Sequence, residues 1–172
     1  MKKYLPALIL TGLAVASRLI PHPANFTPIA SVALFSGIYL PRRFAMAIPA
    51  AAMFISDIFL GFYSLPIMVS VYACFFISAV IGMRVRENKK FRTILGGTLL
   101  GSVIFFFATN LAVWAFGGLY AHTLSGLIDC YYMALPFFRN SLAGDIFYTA
   151  ALVGCMEYII RTSAVRAESL HF

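Results

Sequence analysis

The chain has 172 residues, of which 62% are hydrophobic and 11% are charged, and its formal net charge is +7. A soluble domain typically has about 25% charged residues, so this composition excludes a soluble protein. Six spans of about 20 residues would use about 120 residues. The remainder leaves room for loops within one transmembrane domain, residues 1–172, and for no soluble domain beside it.

The N-terminal segment has the outline of a secretory signal peptide, because Met1-Lys2-Lys3 precedes an apolar run that reaches Ala14-Val15-Ala16. Arg18 follows two residues later, and further apolar runs continue downstream. We therefore interpret this segment as a retained first span, with cleavage as the alternative. The topology of the following spans is the same in both cases.

Apolar runs separated by charged residues or by Pro and Gly predict an all-α integral membrane protein with six transmembrane helices. The predicted spans are Tyr4–Ile20, Pro28–Leu40, Phe44–Phe62, Leu65–Met83, Thr93–Phe116 and Asn140–Ile160. The second run is too short to cross about 30 Å of hydrocarbon at about 1.5 Å per residue. The stretch before it, Pro21–Pro28, contains three prolines. We expect irregular backbone there to complete the crossing, ahead of a short second helix.

One long connection is predicted, Gly117–Arg139, between the fifth and sixth spans. Its Tyr and Phe residues are typical of a membrane interface, so we expect a short interfacial helix or a lid.

The basic residues orient the chain. With Met1 in the cytoplasm and the sides alternating, 11 of the 13 Lys and Arg residues fall inside, and Arg18 and Arg139 fall outside. The positive-inside rule favours this N-in/C-in topology. The positive charge is then explained by orientation, and we expect a lipid bilayer and no nucleic acid as a partner.

Polar side chains are concentrated in the predicted outer half. Asp57 lies near the outer end of the third span, Asn110 and Trp114 lie one turn apart on the fifth, and Asn140 and Asp145 begin the sixth. Irregular backbone at membrane depth must be buried in protein or line a cavity, and interrupted spans are typical of transporter sites. We therefore expect an outward-facing pocket whose candidate ligand-binding residues are Arg18, His22, Asn25, Asp57, Asn110, Trp114, Arg139, Asn140 and Asp145.

A structural role for the same residues is the alternative. Asp57 with Arg18 or Arg139, and Asp145 with Arg139, could be ion pairs that only fix helix packing. Trp114 could be an interfacial belt residue. Glu157 and Arg161 have the spacing of a helix ion pair, which we interpret as structural.

Motifs for catalysis and metal binding are missing from the sequence. Cys74, Cys130 and Cys155 lack zinc-ligand spacing, and no phosphate loop, HExxH or GxSxG motif occurs. No residue pair has recognisable nucleophile and base roles. We therefore expect no metal, no cofactor and no enzymatic activity.

Residues 18–43, RLIPHPANFTPIASVALFSGIYLPRR, resemble the proline-bearing loop, short Ala/Gly-rich second helix and basic turn of the substrate-binding S components of energy-coupling factor (ECF) vitamin transporters. The same Pro-His-Pro-x-Asn-Phe-Thr-Pro stretch is also similar to an uncharacterised group of small bacterial membrane proteins. The S-component resemblance implies a substrate captured outside the cell. It also implies a transmembrane coupling subunit and two ATPases as partners.

One feature departs from that resemblance. The Ala-x-x-x-Ala contact of the S-component first helix is missing, and its closest equivalents are Gly12–Ala16, Ala33–Gly37 and Ala47–Ala51. Small residues four apart allow close helix approach, so a docking face on the second or third span and a carrier that works alone are both open.

The sequence thus predicts a transport protein of the bacterial cytoplasmic (inner) membrane that binds a small, vitamin-like molecule from the outside. Aromatic rings would stack on the ligand, and Asn, Asp and Arg side chains would orient it. The alternative is a structural or scaffolding subunit of a membrane assembly, with no small-molecule ligand.

Overall fold

The structure, a computed structural model, describes residues 4–17, 20 and 23–169. Within them the chain is all-helical, with α1 (Leu5–Ser17), α2 (Ile29–Tyr39), α3 (Arg42–Leu60), α4 (Leu65–Val85), α5 (Phe91–Phe116) and α6 (Leu124–Ser169). Helices α3, α4, α5 and α6 are long and apolar enough to cross a membrane. The prediction of an all-α, multi-pass membrane protein is confirmed at this level.

Helix α2 is the centre of the bundle. Nine of its 11 residues are buried, and it contacts each of the other five described helices. A helix that is apolar around its whole circumference must be surrounded by protein or by lipid, and the burial of α2 shows that protein surrounds it here. The sequence indicated that this helix is too short to be a complete span. The structure shows that the short helix lies inside the bundle.

The backbone before α2 is irregular in residues 23–28, as predicted. The amide of Phe26 donates to the carbonyl of Pro23 at 3.0 Å, which closes a turn. Within that turn Asn25 has a φ of +62°. Asn adopts this left-handed conformation more readily than most residues, so the turn suits the residue that occupies it.

Helices α2 and α4 meet backbone to backbone. A Cβ atom built on Gly82 would lie 2.1 Å from the carbonyl oxygen of Leu34, and one built on Gly37 would lie 2.2 Å from that of Ala79. Only glycine fits at such a crossing. The small pair Ala33–Gly37 is thus buried inside the chain, so of the two docking faces left open, the one on the second span is already occupied by α4. Ala47 and Ala51, the equivalent pair on α3, are exposed.

The helices alternate in direction, so the start of α1 and the later part of α6 lie at one end of the bundle. Tyr4, Pro41, Arg86 and Ile160 line a single cavity there. We call this end the Arg86 end and the opposite one, which holds residues 23–28, the Asn25 end. Among the basic side chains that the structure describes, those at the Arg86 end are Arg42, Arg43, Arg84, Arg86, Lys89, Lys90, Arg92 and Arg161; Arg139 lies elsewhere.

The predicted connection Gly117–Arg139 is wrong, because α6 begins at Leu124. Its first turns pack along the last turns of α5: the Tyr131 hydroxyl donates to the carbonyl of Phe107 at 2.8 Å. Pro136 lies inside the helix, which a membrane bundle tolerates because neighbouring groups satisfy the freed backbone atoms.

The early start of α6 changes the depth of its polar residues. A span beginning at Asn140 would place Asp145 in the outer third of the bundle. In the structure Asp145 contacts Ser102, near the middle of α5. That predicted depth is therefore wrong.

Candidate functional site

A cavity of about 230 Å³ lies between α4, α5, α6 and the segment 23–28. It lies at the Asn25 end and brings together two of the nine predicted residues, Asn25 and Asn110. We call it the aromatic cavity. Its lining consists of four phenyl rings (Phe105, Phe106, Phe137, Phe138), four aliphatic side chains (Ile67, Val71, Val113, Ala134) and four polar ones (Asn25, Thr109, Asn110, Ser141).

The rings of the aromatic cavity support one another. The ring centroid of Phe106 lies 4.5 Å from that of Phe138 and 5.5 Å from that of Tyr131. On the α4 side, Phe105 stacks on Phe75 with centroids 5.5 Å apart. Aromatic pairs at these separations add attraction beyond the area they bury, so the rings form a defined wall against which a planar molecule can stack.

Two polar side chains of the aromatic cavity already form hydrogen bonds to backbone carbonyls of their own helix, α5. The Asn110 amide donates to the carbonyl of Phe106 at 2.8 Å, and the Thr109 hydroxyl donates to that of Phe105 at 2.8 Å. An Asn side chain has a second N–H and an acceptor oxygen, and a Thr hydroxyl keeps its lone pairs. A mostly apolar cavity with a few such groups is the usual form of a small-molecule site.

Asn140 connects the irregular segment to α6. Its amide donates to the carbonyl of Ala24 at 3.1 Å. Two residues on, Phe26 packs on α6, with its ring 5.5 Å from Tyr148 and its Cα atom 3.3 Å from the position of a Cβ on Gly144. Asn140 is therefore placed to hold the segment over the cavity rather than to line it.

Two other predicted residues make contacts away from the aromatic cavity. Asp57 is 1% exposed and accepts a hydrogen bond from the Tyr72 hydroxyl at 3.0 Å. Trp114 donates through Nε1 to the carbonyl of Ala121 at 3.0 Å, and its ring packs against His122. Trp114 thereby closes the turn between α5 and α6.

Arg139 is exposed and, with Asn140, lines a surface groove on α6. The alternative in which it pairs with Asp145 is not realised, because Asp145 forms no ion pair within the described residues. Arg18 and His22 lie outside the described residues.

Asp145 belongs to a second and smaller cavity in the middle of the bundle. The cavity is about 10 Å³ and is lined by hydroxyl groups from three other helices, so we call it the hydroxyl cavity. The Ser102 hydroxyl donates to Asp145 Oδ2 at 2.6 Å, and the Ser31 hydroxyl donates to its backbone carbonyl at 3.0 Å. Asp145 is therefore not one of the residues that line the aromatic cavity.

The predicted ion pair is absent between Glu157 and Arg161, both of which the structure describes. Instead Glu157 Oε1 accepts a hydrogen bond from the Tyr39 hydroxyl at 2.5 Å. This bond joins α6 to the end of α2, which the sequence spacing did not indicate.

Sequence reasoning missed most of the lining. Phe105, Thr109 and Val113 follow one another at four-residue spacing on α5, which identifies a shared face but not what it meets. Phe137 and Phe138 were interpreted as interfacial because α6 was expected to begin after them. Their proximity to Phe106 depends on the pairing of α5 with α6, which no local pattern specifies.

A family model, DUF6580, matches the chain over residues 1–168 and is described as a family of unknown function. The matched region contains every residue of the aromatic and hydroxyl cavities. No curated protein matches the chain, and no solved structure matches it.

Proposed function

The chain belongs to DUF6580, a family of unknown function, and we propose that it is a membrane transport protein that binds a small, vitamin-like molecule in the aromatic cavity. The observation that supports this is the cavity itself, about 230 Å³ with four phenyl rings and two Asn amides in its lining. Pockets for drug-sized ligands have volumes of about 300–1,000 Å³, so this one suits a single planar ring system. None of the described lining residues is charged, which favours a neutral ligand.

The proposed topology has six spans with both termini inside. The positive-inside rule assigns the Arg86 end, with its eight described basic side chains, to the cytoplasm. The Asn25 end then faces outward, and the aromatic cavity takes its ligand from the outside. We place the protein in the bacterial inner membrane.

The proposed mode of action is that of an ECF S component, in which binding is separate from energy conversion. A coupling subunit and ATPases would be the partners, and the chain itself would catalyse no reaction. Because Ala33–Gly37 is buried against α4, the coupling subunit would contact the exposed pairs Gly12–Ala16 or Ala47–Ala51.

The test is mass spectrometry of the small molecules released from the purified protein after incubation with a pool of vitamins and their precursors. Ala134→Phe puts a ring into the aromatic cavity, whereas Ala47→Phe makes the same change at an exposed position on α3. We expect one compound to be enriched in the wild type and in Ala47→Phe and to be lost from Ala134→Phe.

Two outcomes would contradict the proposal. Equal enrichment in a folded Ala134→Phe variant would place the ligand elsewhere. No enrichment in the wild type would favour the alternative, a structural subunit in which the aromatic rings only pack the helices.

A further inference from the structure

The hydroxyl cavity is built by four helices in the middle of the bundle. Each helix contributes one or two side chains that bear oxygen atoms. They are Ser31 on α2, Ser78 on α4, Thr98 on α5, and Asp145 and Thr149 on α6. All five residues are buried. The volume of about 10 Å³ is that of about one water molecule or one small ion.

One of these groups has no hydrogen-bond partner, and a second, Asp145, accepts a hydrogen bond from Ser102 but lacks a compensating charge within the described residues. Thr149 is 4% exposed, and its Oγ1 has no hydrogen-bond partner. Asp145 is 6% exposed and has no cationic side chain paired with it within residues 4–17, 20 and 23–169. A carboxylate in an apolar bundle is costly unless a cation or a proton compensates it.

The hydroxyl groups present oxygen lone pairs to the cavity. Thr98 donates its proton to the carbonyl of Ile94 at 3.0 Å, and Ser31 donates its proton to the carbonyl of Asp145 at 3.0 Å. Each hydroxyl oxygen therefore keeps acceptor capacity for a ligand. Several oxygen acceptors around one carboxylate form a set of hard ligands.

We infer that the hydroxyl cavity is a binding site for one monovalent metal cation, sodium. A single carboxylate neutralises one positive charge, whereas a divalent ion would leave a net charge buried in the bundle. Transition metals prefer His and Cys ligands, and the described residues contain no group of three or more His, Cys, Asp or Glu side chains that could hold a metal ion. The site is separate from the aromatic cavity, so the inference does not depend on the proposed small-molecule ligand.

The first experiment measures binding of radioactive sodium to the purified full-length protein in detergent, with choline chloride holding the ionic strength constant. We expect one saturable site per chain. The thermal midpoint of unfolding should also be higher in sodium chloride than in choline chloride, because an ion that binds only the folded state stabilises it.

The chain offers a matched pair of variants. Thr11 and Thr149 are both 4% exposed, and neither hydroxyl has a hydrogen-bond partner, but only Thr149 lines the hydroxyl cavity. Thr149→Val should weaken sodium affinity about tenfold, as expected for the loss of one buried ligand group. Thr11→Val should leave the affinity unchanged, and Asp145→Asn should abolish binding.

An unfolded Asp145→Asn variant would not affect the test, because the wild type and the two Thr variants decide it. Wild-type protein that retains no sodium, or whose midpoint is equal in sodium and choline chloride, would overturn the inference and assign the cavity to a water beside a protonated Asp145. Equal sodium affinities in Thr149→Val and Thr11→Val would also overturn it.

Discussion

At the Arg86 end of the bundle, backbone meets backbone, whereas towards the Asn25 end aromatic side chains stand between the helices. In the first region Gly82 lies against the carbonyl of Leu34, and Arg86 donates to the carbonyls of Gly37 and Leu40. In the second region one hydrogen bond, from Asn140 to the carbonyl of Ala24, joins the described residues 23–28 to α6. The first region fixes the positions of the helices, whereas the second contains the aromatic cavity and has space in which side chains can adjust.

The largest expected effect comes from adding a side chain where α2 and α4 touch. Gly82→Val would place a Cβ 2.1 Å from a backbone oxygen, which neither helix can avoid without separating. We expect a loss of more than about 4 kcal/mol in the free energy of unfolding. The readout is the loss of the monodisperse peak in size-exclusion chromatography.

The matched control for that change is Gly96→Ala on α5, where an added Cβ meets nothing within 4 Å. It should stabilise the helix by about 0.5–1 kcal/mol. A folded Gly82→Val protein with wild-type stability would show that the contact between α2 and α4 is looser than described.

Arg86 provides the next largest effect. Its guanidinium satisfies carbonyl groups at the C-terminal end of α2, where no further turn of helix can do so. Arg86→Met should lower the free energy of unfolding by about 3 kcal/mol, because hydrogen bonds from a charged donor are lost and the acceptors stay buried. The neighbouring Arg84→Met, at an exposed position, should change it little; equal losses in both variants would contradict a role for these bonds.

The bond between Tyr39 and Glu157 should contribute less. Tyr39→Phe removes the donor to Glu157 Oε1 and should cost about 1–2 kcal/mol. A double-mutant cycle with Glu157→Ala, which removes the acceptor, measures the coupling between the two side chains. Additive losses would indicate that the hydrogen bond contributes nothing to stability.

The smallest effect on stability is expected at the Asn25 end. Asn140→Ala removes the hydrogen bond to Ala24 and should cost less than about 1 kcal/mol. Hydrogen exchange of the backbone amides of residues 24–27 should nevertheless become faster, because the segment loses its hydrogen bond to α6. Arg139→Ala, at the exposed neighbouring position, should leave that exchange unchanged; faster exchange in both variants would contradict the assignment.

Local sequence patterns predicted which segments form helices better than they predicted which helices pack against one another. The third predicted span, Phe44–Phe62, differs from α3 by two residues at each end, because charges and a glycine bound the apolar run. The start of α6 was missed because Pro136 and the surrounding charges and aromatics are also typical of a loop. Pro is a weak boundary signal when neighbouring helices can satisfy the backbone it frees.

The sequence likewise predicted some residues of the two cavities and missed others. Asn25 and Asn110 were selected because prolines interrupt one segment and an amide interrupts an apolar face, and the structure brings both to the aromatic cavity. Thr149 and Ser31 were not selected, since a single hydroxyl in an apolar helix is ordinary. The two hydroxyl groups share one cavity because four helices meet at it. That meeting depends on the packing around α2.

The enclosed position of α2 has a consequence for biosynthesis. A helix of 11 residues is about 16 Å long, roughly half the thickness of the hydrocarbon layer. The insertion machinery cannot stabilise such a segment as a span by itself, and α4, which packs against Gly37, is synthesised later. The second helix must therefore wait, beside α1 and α3, until residue 85 has left the ribosome. Chains truncated before that point would present α2 without the helix that packs against Gly37.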